Sequence, residues 1–478
     1  MASGCGRTAH DAARTVALSA PPRVPERVGQ HIPSKTGQES LTYTVQVDAG
    51  LTHLDVQLCP SGFRIERLNA PSPGARAFLD GAKVITPQGD YAVSGEGVDL
   101  ESTESDACVR YAVNLPNQAE DPSGARRVGE DVLASPDLWL WVPTPRPEGV
   151  RLRAHFDLPE GVLAMLPWQQ EPTGDFVLPE TAFAWKSAGA FGHRAPDRIA
   201  VPGGELSVAT LGAGFGAGNA AVRAWLEQGA TTSRLLFGRF PVARTLVLLV
   251  PTERSGPAFG MALRGGGAAT LIFLDQRTTA KSLETDWTAT HEFLHLGVPR
   301  LPPEDAWFFE GLATYYTEIT RARAGLISAE QAYQHLLEGF ARGRKQGGTL
   351  TLRKESAAMR ERRSFYRVYW AGAAIAFLTD VGLRRARSTT LDAALRAFAE
   401  CCAASDGDAT AATVLAQLEA YGAGAFTNEA ARWLDRSDFP ALDETLRSLG
   451  VGLGKNGAAL FRPAPHSPIR DAIMARAR

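Results

Sequence analysis

Apolar residues in this chain follow two different periods. Between Leu41 and Leu166 they alternate with polar residues in short runs, such as Thr42-Tyr43-Thr44-Val45-Gln46-Val47 and Val150-Arg151-Leu152-Arg153-Ala154-His155-Phe156, separated by turn residues. A period of two buries one face of a strand and solvates the other, so an antiparallel sheet or sandwich is expected here. Near residue 200 the texture changes. Residues 205–211 suggest a strand and 219–229 a helix, while Leu246-Val247-Leu248-Leu249-Val250 and Leu271-Ile272-Phe273-Leu274 are unbroken apolar runs, as in strands covered on both faces. Beyond Thr288 the spacing of three and four predicts helices to about Leu449, with Gly325 ending one and Ser328 with Gln331 opening the next as a capping box. The expected organisation is α+β and multidomain. It comprises a tail over 1–38, an N-terminal β domain over 39–200, a mixed domain over 201–326, a helical domain over 327–455 and a loose tail over 456–478.

Length and charge agree with this division. The chain has 478 residues, enough for about three domains. Its 50 basic and 52 acidic residues leave a formal charge of −2, which argues against whole-chain affinity for nucleic acid or an anionic membrane. No run approaches the roughly 18 apolar residues of a membrane span. Five cysteines are too few for a disulfide scaffold; Cys59 and Cys108 could pair if the chain is exported, and adjacent Cys401 and Cys402 read as packing residues. Ala2-Ser3-Gly4-Cys5 looks like the end of a bacterial lipoprotein cleavage site lacking its apolar part. Cys5 would then be a lipid anchor in the cell envelope; the alternative is an incidental cysteine in a polar tail, which leaves a cytoplasmic location open.

The chemistry concentrates in His291-Glu292-Phe293-Leu294-His295. On a helix, positions i and i+4 share a face, so both imidazoles can reach one metal ion. Glu292 follows the first histidine, where its carboxylate can reach a metal-bound water and act as base. A third ligand is still needed. Trp307-Phe308-Phe309-Glu310-Gly311-Leu312 offers Glu310, and Pro302-Pro303 between the two segments lets the chain reverse. Glu304, Asp305 and Glu318 compete for that role, although the first two suit a helix N-terminus anyway. Gly212-Ala213-Gly214-Phe215-Gly216-Ala217-Gly218 imitates a dinucleotide-binding loop but lacks the acid that would close the next strand, and reads as a plain loop.

The segment His291–His295, followed by Trp307-Phe308-Phe309-Glu310-Gly311-Leu312-Ala313-Thr314-Tyr315-Tyr316 and by Arg321-Ala322-Arg323-Ala324-Gly325-Leu326-Ile327-Ser328, resembles the glutamate-zincin metallopeptidases, with the glycyl aminopeptidase family, a relative of the aminopeptidase N type, as the nearest match. The resemblance implies a thermolysin-like catalytic domain over 201–326 and one zinc ion held by His291, His295 and Glu310. It implies Glu292 as general base, a peptide or protein substrate, and Tyr369, three residues before Gly372, as the donor to the developing oxyanion. The chain also departs from the family pattern. Only 296–309 separates the second histidine from Glu310, and Leu296-Gly297 replaces the usual tryptophan. The Gly260–Gly267 segment carries no acid to bind a substrate amine. An endopeptidase or other specificity therefore stands beside the aminopeptidase reading, and an inactive peptide-binding relative is the remaining alternative. The basic run Arg360-Glu361-Arg362-Arg363 reads as a solvated helix face, or as a partner for a peptide carboxylate.

Overall fold

Two-period patterning and unbroken apolar runs both translate into sheets, and the difference between them is how many faces are covered. The computed structural model describes residues 39–476 apart from 71–82, 87–88, 93–96, 101–107, 116–124, 185, 254–257, 403–408 and 455–456. The alternating N-terminal runs build a six-stranded sheet, a three-stranded sheet and a four-stranded sheet. Leu41, Tyr43 and Val45 point into a core around Trp139, Trp141 and Trp168, while Thr42 and Thr44 do not. Pairing is antiparallel with one exception: the strand Ser40–Val47 runs parallel to Arg151–Asp157. The intervening hundred residues let the chain return to the same end of the sheet, which a hairpin connection cannot do. Cys59 and Cys108 form a disulfide within this region.

A further sheet has five strands, in the order Asp197–Val201, Gly204–Thr210, Arg244–Thr252, Ala269–Asp275 and Phe259–Leu263. Its two inner pairings run parallel, whereas Asp197–Val201 and Phe259–Leu263 at the two ends are antiparallel to their neighbours. The strand Asp197–Val201 belongs to this sheet, although the sequence reading left most of it on the N-terminal side of a boundary at 200. Both faces are covered, which explains the unbroken apolar runs. Val247 and Leu249 meet helix α1 (Asn219–Phe237), whereas Leu246, Leu248 and Val250 pack with Leu133, Met165 and Ala190 from the N-terminal sheets.

The remaining helices are α2 (Ala280–Thr285), α3 (Thr288–His295), α4 (Ala306–Arg323), α5 (Ala329–Gln346), α6 (Leu352–Ala357), α7 (Met359–Arg362), α8 (Phe365–Ala386), α9 (Leu391–Cys401), α10 (Ala411–Ala420), α11 (Ala425–Leu434), α12 (Asp443–Leu449) and α13 (Ser467–Met474). Ser328 and Gln331 form the expected capping box at α5, and Gly325 follows α4 with φ +75°. Helix α4 shares one apolar core with α5, α8 and the later helices, so no packing boundary falls at 326. Within the expected loose tail over 456–478, the described residues 457–476 pack onto the fold. The strand Ala459–Phe461 pairs with Val451–Leu453, and α13 buries Ile473 and Met474 in the helical core while the Ile473 carbonyl accepts a hydrogen bond from Arg323. Cys401 and Cys402 also depart from the expected packing role: they are joined as a disulfide, at the point where Cys402 leaves helical geometry with φ −133° and ψ −14°. Cys5 lies outside the described residues.

Candidate metal centre

The histidine-bearing helix α3 is short and wholly buried. Asp286 accepts a hydrogen bond from the Thr288 amide at its start, and at its other end the Arg264 guanidinium donates to the carbonyls of Leu296 and Val298. These bonds anchor the chain at both ends of the helix that carries the two imidazoles. Pro302-Pro303 reverses the chain as expected and α4 returns across α3, carrying Glu310 to the histidines.

Glu310 Oε2 lies 3.5 Å from His291 Nε2 and 3.3 Å from His295 Nε2, and the three ligand atoms all fall within 4.8 Å of one another. Tetrahedral zinc with bonds of about 2.1 Å separates neighbouring ligand atoms by roughly 3.4 Å, so the donor set and its spacing suit that ion. The tautomer agrees. Thr317 donates its only hydroxyl proton to the Ala313 carbonyl at 2.7 Å, so at 3.1 Å it can only accept from His291 Nδ1–H. That leaves the Nε2 lone pair of His291 free for a metal. His295 has no such support: its Nδ1 is buried without a hydrogen-bond partner, and its ring stacks on Phe309 at 4.1 Å.

Burial and the mutual proximity of these groups set the electrostatics of the site. Burial opposes the charge on Glu310, but His295 and His291 outweigh it and hold its carboxyl far below the usual carboxylate range. Burial lowers the pKa of His295; for His291 burial acts in the same direction, but the bond to Glu310 and the nearby Glu292 reverse it and the net shift is upward. Glu292 is the outlier, pushed up to about 7 by burial. Its carboxylate accepts a hydrogen bond from the Ala262 amide on the strand Phe259–Leu263. Gly260 on that strand makes the approach possible, because a Cβ there would come within 2.7 Å of the Glu292 carboxylate carbon. Gly260→Ala should displace this carboxylate and lower kcat by roughly 10–100-fold with metal content unchanged; wild-type turnover in that variant would show that Glu292 tolerates the shift.

Tyr369 joins the cluster through helix packing. Helices α4 and α8 cross where Gly311 meets Gly372: a Cβ on Gly372 would stand 2.9 Å from the Gly311 Cα. This crossing sets Tyr369, one turn before Gly372, beside Glu310, one residue before Gly311, and the phenol approaches that carboxylate. Burial, then the carboxylates of Glu310 and Glu292, raise its pKa well above 10, so the phenol keeps its proton. Tyr366 is exposed instead. The competing acids lie elsewhere. Glu318 is held by Arg321 and His335 at 3.2 and 2.8 Å, and Asp305 accepts from the Ala411 amide at 2.7 Å, so it serves the start of α10 rather than its own helix. The sequence reading missed Thr317, Gly260 and Arg264; only the acid-free glycine segment hinted at the last two. The 212–218 loop connects Gly204–Thr210 to α1.

Comparison with known proteins follows the same lines. Residues 300–380 match the M61 glycyl aminopeptidase family, a span that contains Glu310 and Tyr369 but begins after the two histidines. No curated protein sequence matches the chain. An aminopeptidase N family protein from Idiomarina loihiensis is similar in structure with a TM-score of 0.71 at 16% identity, over 87% of this chain and 79% of that one. The fold is that of an aminopeptidase N family protein. An M1 zinc metallopeptidase from Deinococcus radiodurans, solved as a mutant, is similar with a TM-score of 0.50 at 15% identity, over 84% of this chain and 95% of that one. The resemblance to gluzincin aminopeptidases read from the motif is thus matched in the aminopeptidase N-type fold and in the 300–380 segment.

Proposed function

We propose that this chain is a zinc-dependent peptidase with a thermolysin-like catalytic core built on the five-stranded sheet and helices α3 and α4. The observation that carries the proposal is the convergence of His291, His295 and Glu310 at zinc-ligand spacing, with the buried carboxylate of Glu292 one residue from the first ligand. Two buried histidines and a largely buried carboxylate facing one another are costly to keep without a cation. Zinc would supply Lewis acidity, polarising a carbonyl and bringing the pKa of a water toward neutrality.

The chain's own groups have distinct tasks in this reading. Glu292 takes the proton of the attacking water and hands it to the leaving amine, a role suited by a pKa near 7. Tyr369, which keeps its proton, donates a hydrogen bond to the carbonyl oxygen as negative charge grows there. The strand Phe259–Leu263 is the end strand of its sheet and lies beside Glu292, so among the described residues no further strand pairs with its outer side, where an extended peptide can add. No acid stands on that strand, and Arg264 beyond it is committed to α3, so the site offers nothing there for a substrate ammonium. Peptide-bond hydrolysis is therefore the assignment, with removal of an N-terminal residue as one outcome among others.

The test is elemental analysis of protein purified without added metal, joined to hydrolysis of a peptide library with and without chelator. About one zinc per chain and chelator-sensitive cleavage are expected, with Tyr369→Phe losing about 10²-fold in kcat while keeping its zinc. Protein that stays zinc-free after reconstitution, or zinc-loaded protein that cleaves no peptide, would overturn the proposal.

A further inference from the structure

Most arginines inside this molecule are answered by an acceptor, the buried Nε of Arg234 being an exception. Arg264 and Arg367 donate to backbone carbonyls, Arg321 pairs with Glu318, and Arg323 and Arg384 share Asp392. Arg300 is different. It sits between buried Val298 and buried Leu301 in the segment joining α3 to α4, with its guanidinium 5.6 Å from the centre of the Phe309 ring, the ring that stacks on His295. Burial pushes its pKa down, and the charged or polar groups that act on it are Glu310, Arg360 and Tyr369. Arg360, from the basic run on α7, also acts on Tyr369, while its neighbour Arg362 is spent on Glu355 at 3.1 Å. Among the described residues neither Arg300 nor Arg360 has a hydrogen-bond or ion-pair partner.

Arg300 thus stands over the ring that stacks on His295, where Glu310 is the carboxylate that acts on its charge, and Glu310 would give its charge to the zinc ion. A half-buried cation left without an acceptor is unfavourable unless something supplies one, and a planar guanidinium matches a carboxylate in two parallel hydrogen bonds. The strand Phe259–Leu263 beside Glu292 lacks an acid for an ammonium group. We propose that Arg300, assisted by Arg360, is a carboxylate-binding subsite, and that this chain acts on peptides bearing a negative charge next to the scissile bond. The proposal rests on the peptidase reading and sharpens its substrate class. The carboxylate has two sources, the free C-terminus of a short peptide or an aspartate or glutamate side chain.

The experiment compares matched peptides as free acids and as amides, and matched peptides with acidic or neutral residues flanking the cleaved bond. Wild-type protein, Arg300→Gln and Arg300→Lys are assayed, each checked for zinc content. Wild-type protein should favour the carboxylate-bearing member of one pair by about tenfold or more in kcat/KM. In Arg300→Gln this preference should fall to within about twofold, mainly through KM, and Arg300→Lys should restore part of it. A response confined to the acid–amide pair assigns the C-terminus, and one confined to the flanking pair assigns an acidic side chain. Equal ratios in wild-type protein and Arg300→Gln overturn the subsite. If wild-type protein cleaves nothing, the peptidase reading has failed and the subsite is read by calorimetric titration with an acetylated dipeptide as acid and as amide. Tighter binding of the acid that disappears in Arg300→Gln sustains the subsite, and indifference removes it.

Discussion

Glu292→Gln should keep zinc and lose about 10³-fold in kcat, because the amide preserves the shape of the side chain but cannot accept the water's proton. A peptide assay together with metal analysis reads both halves of this expectation, and wild-type turnover in the variant would assign the base elsewhere. The same substitution should stabilise the metal-free protein, with a sign that follows from burial. In the folded chain the Glu292 pKa is raised from 4.5 to about 7, so the native state holds this proton more tightly than the unfolded chain does. Its stabilising contribution is complete below about pH 4.5 and lost as pH climbs through 7. Glutamine never ionises. Metal-free Glu292→Gln should therefore match the wild-type chain near pH 4 and exceed it at pH 8 by on the order of 3 kcal/mol, the equivalent of about two and a half pKa units. Thermal unfolding of chelated protein at the two pH values measures this, and parallel curves would show that burying Glu292 costs nothing.

Glu310→Gln should do the reverse, abolishing activity through the metal. The carboxylate is the only anionic member of the ligand set, and a carboxamide oxygen is a far weaker donor to zinc. Zinc affinity is expected to drop by at least about 10²-fold, measured by competition with a chelating dye, and saturating zinc should recover only part of the hydrolysis. The two variants thus separate base from ligand: one binds metal without turning over, the other fails to bind. Retention of zinc at wild-type affinity in Glu310→Gln would move the third ligand to another carboxylate. Among the described residues, however, no other acid joins the cluster, since Glu318 is occupied by Arg321 and His335.

The periodicities served unevenly as guides to the fold. Period two placed Leu41, Tyr43 and Val45 in one core, and the unbroken run 246–250 correctly implied a sheet covered on both faces. The parallel pairing of Ser40–Val47 with Arg151–Asp157 was not legible, because register between strands a hundred residues apart is set by the whole sheet and not by either strand. The docking of α13 was missed for a related reason: its buried surface is two residues, Ile473 and Met474, too few to stand out as a pattern.

By itself the sequence determined the donor types and their local order: two histidines one helical turn apart, an acid beside the first, and a second acid after a proline reversal. Helical geometry alone puts His291 and His295 on one face, so no tertiary information is needed for that step. The sequence favoured Glu310 over Glu304, Asp305 and Glu318, and the tertiary structure, by laying α4 across α3, brings Glu310 to both histidines while Asp305 and Glu318 are engaged elsewhere. The tertiary structure also decided that Tyr369 and not Tyr366 reaches the site, through the close crossing of Gly311 and Gly372. The glycine that admits Glu292, the threonine that orients His291 and the unanswered charge of Arg300 belong to the same class. Each is a contact between segments distant in sequence, and such contacts depend on how elements pack, which the local pattern of side chains does not encode.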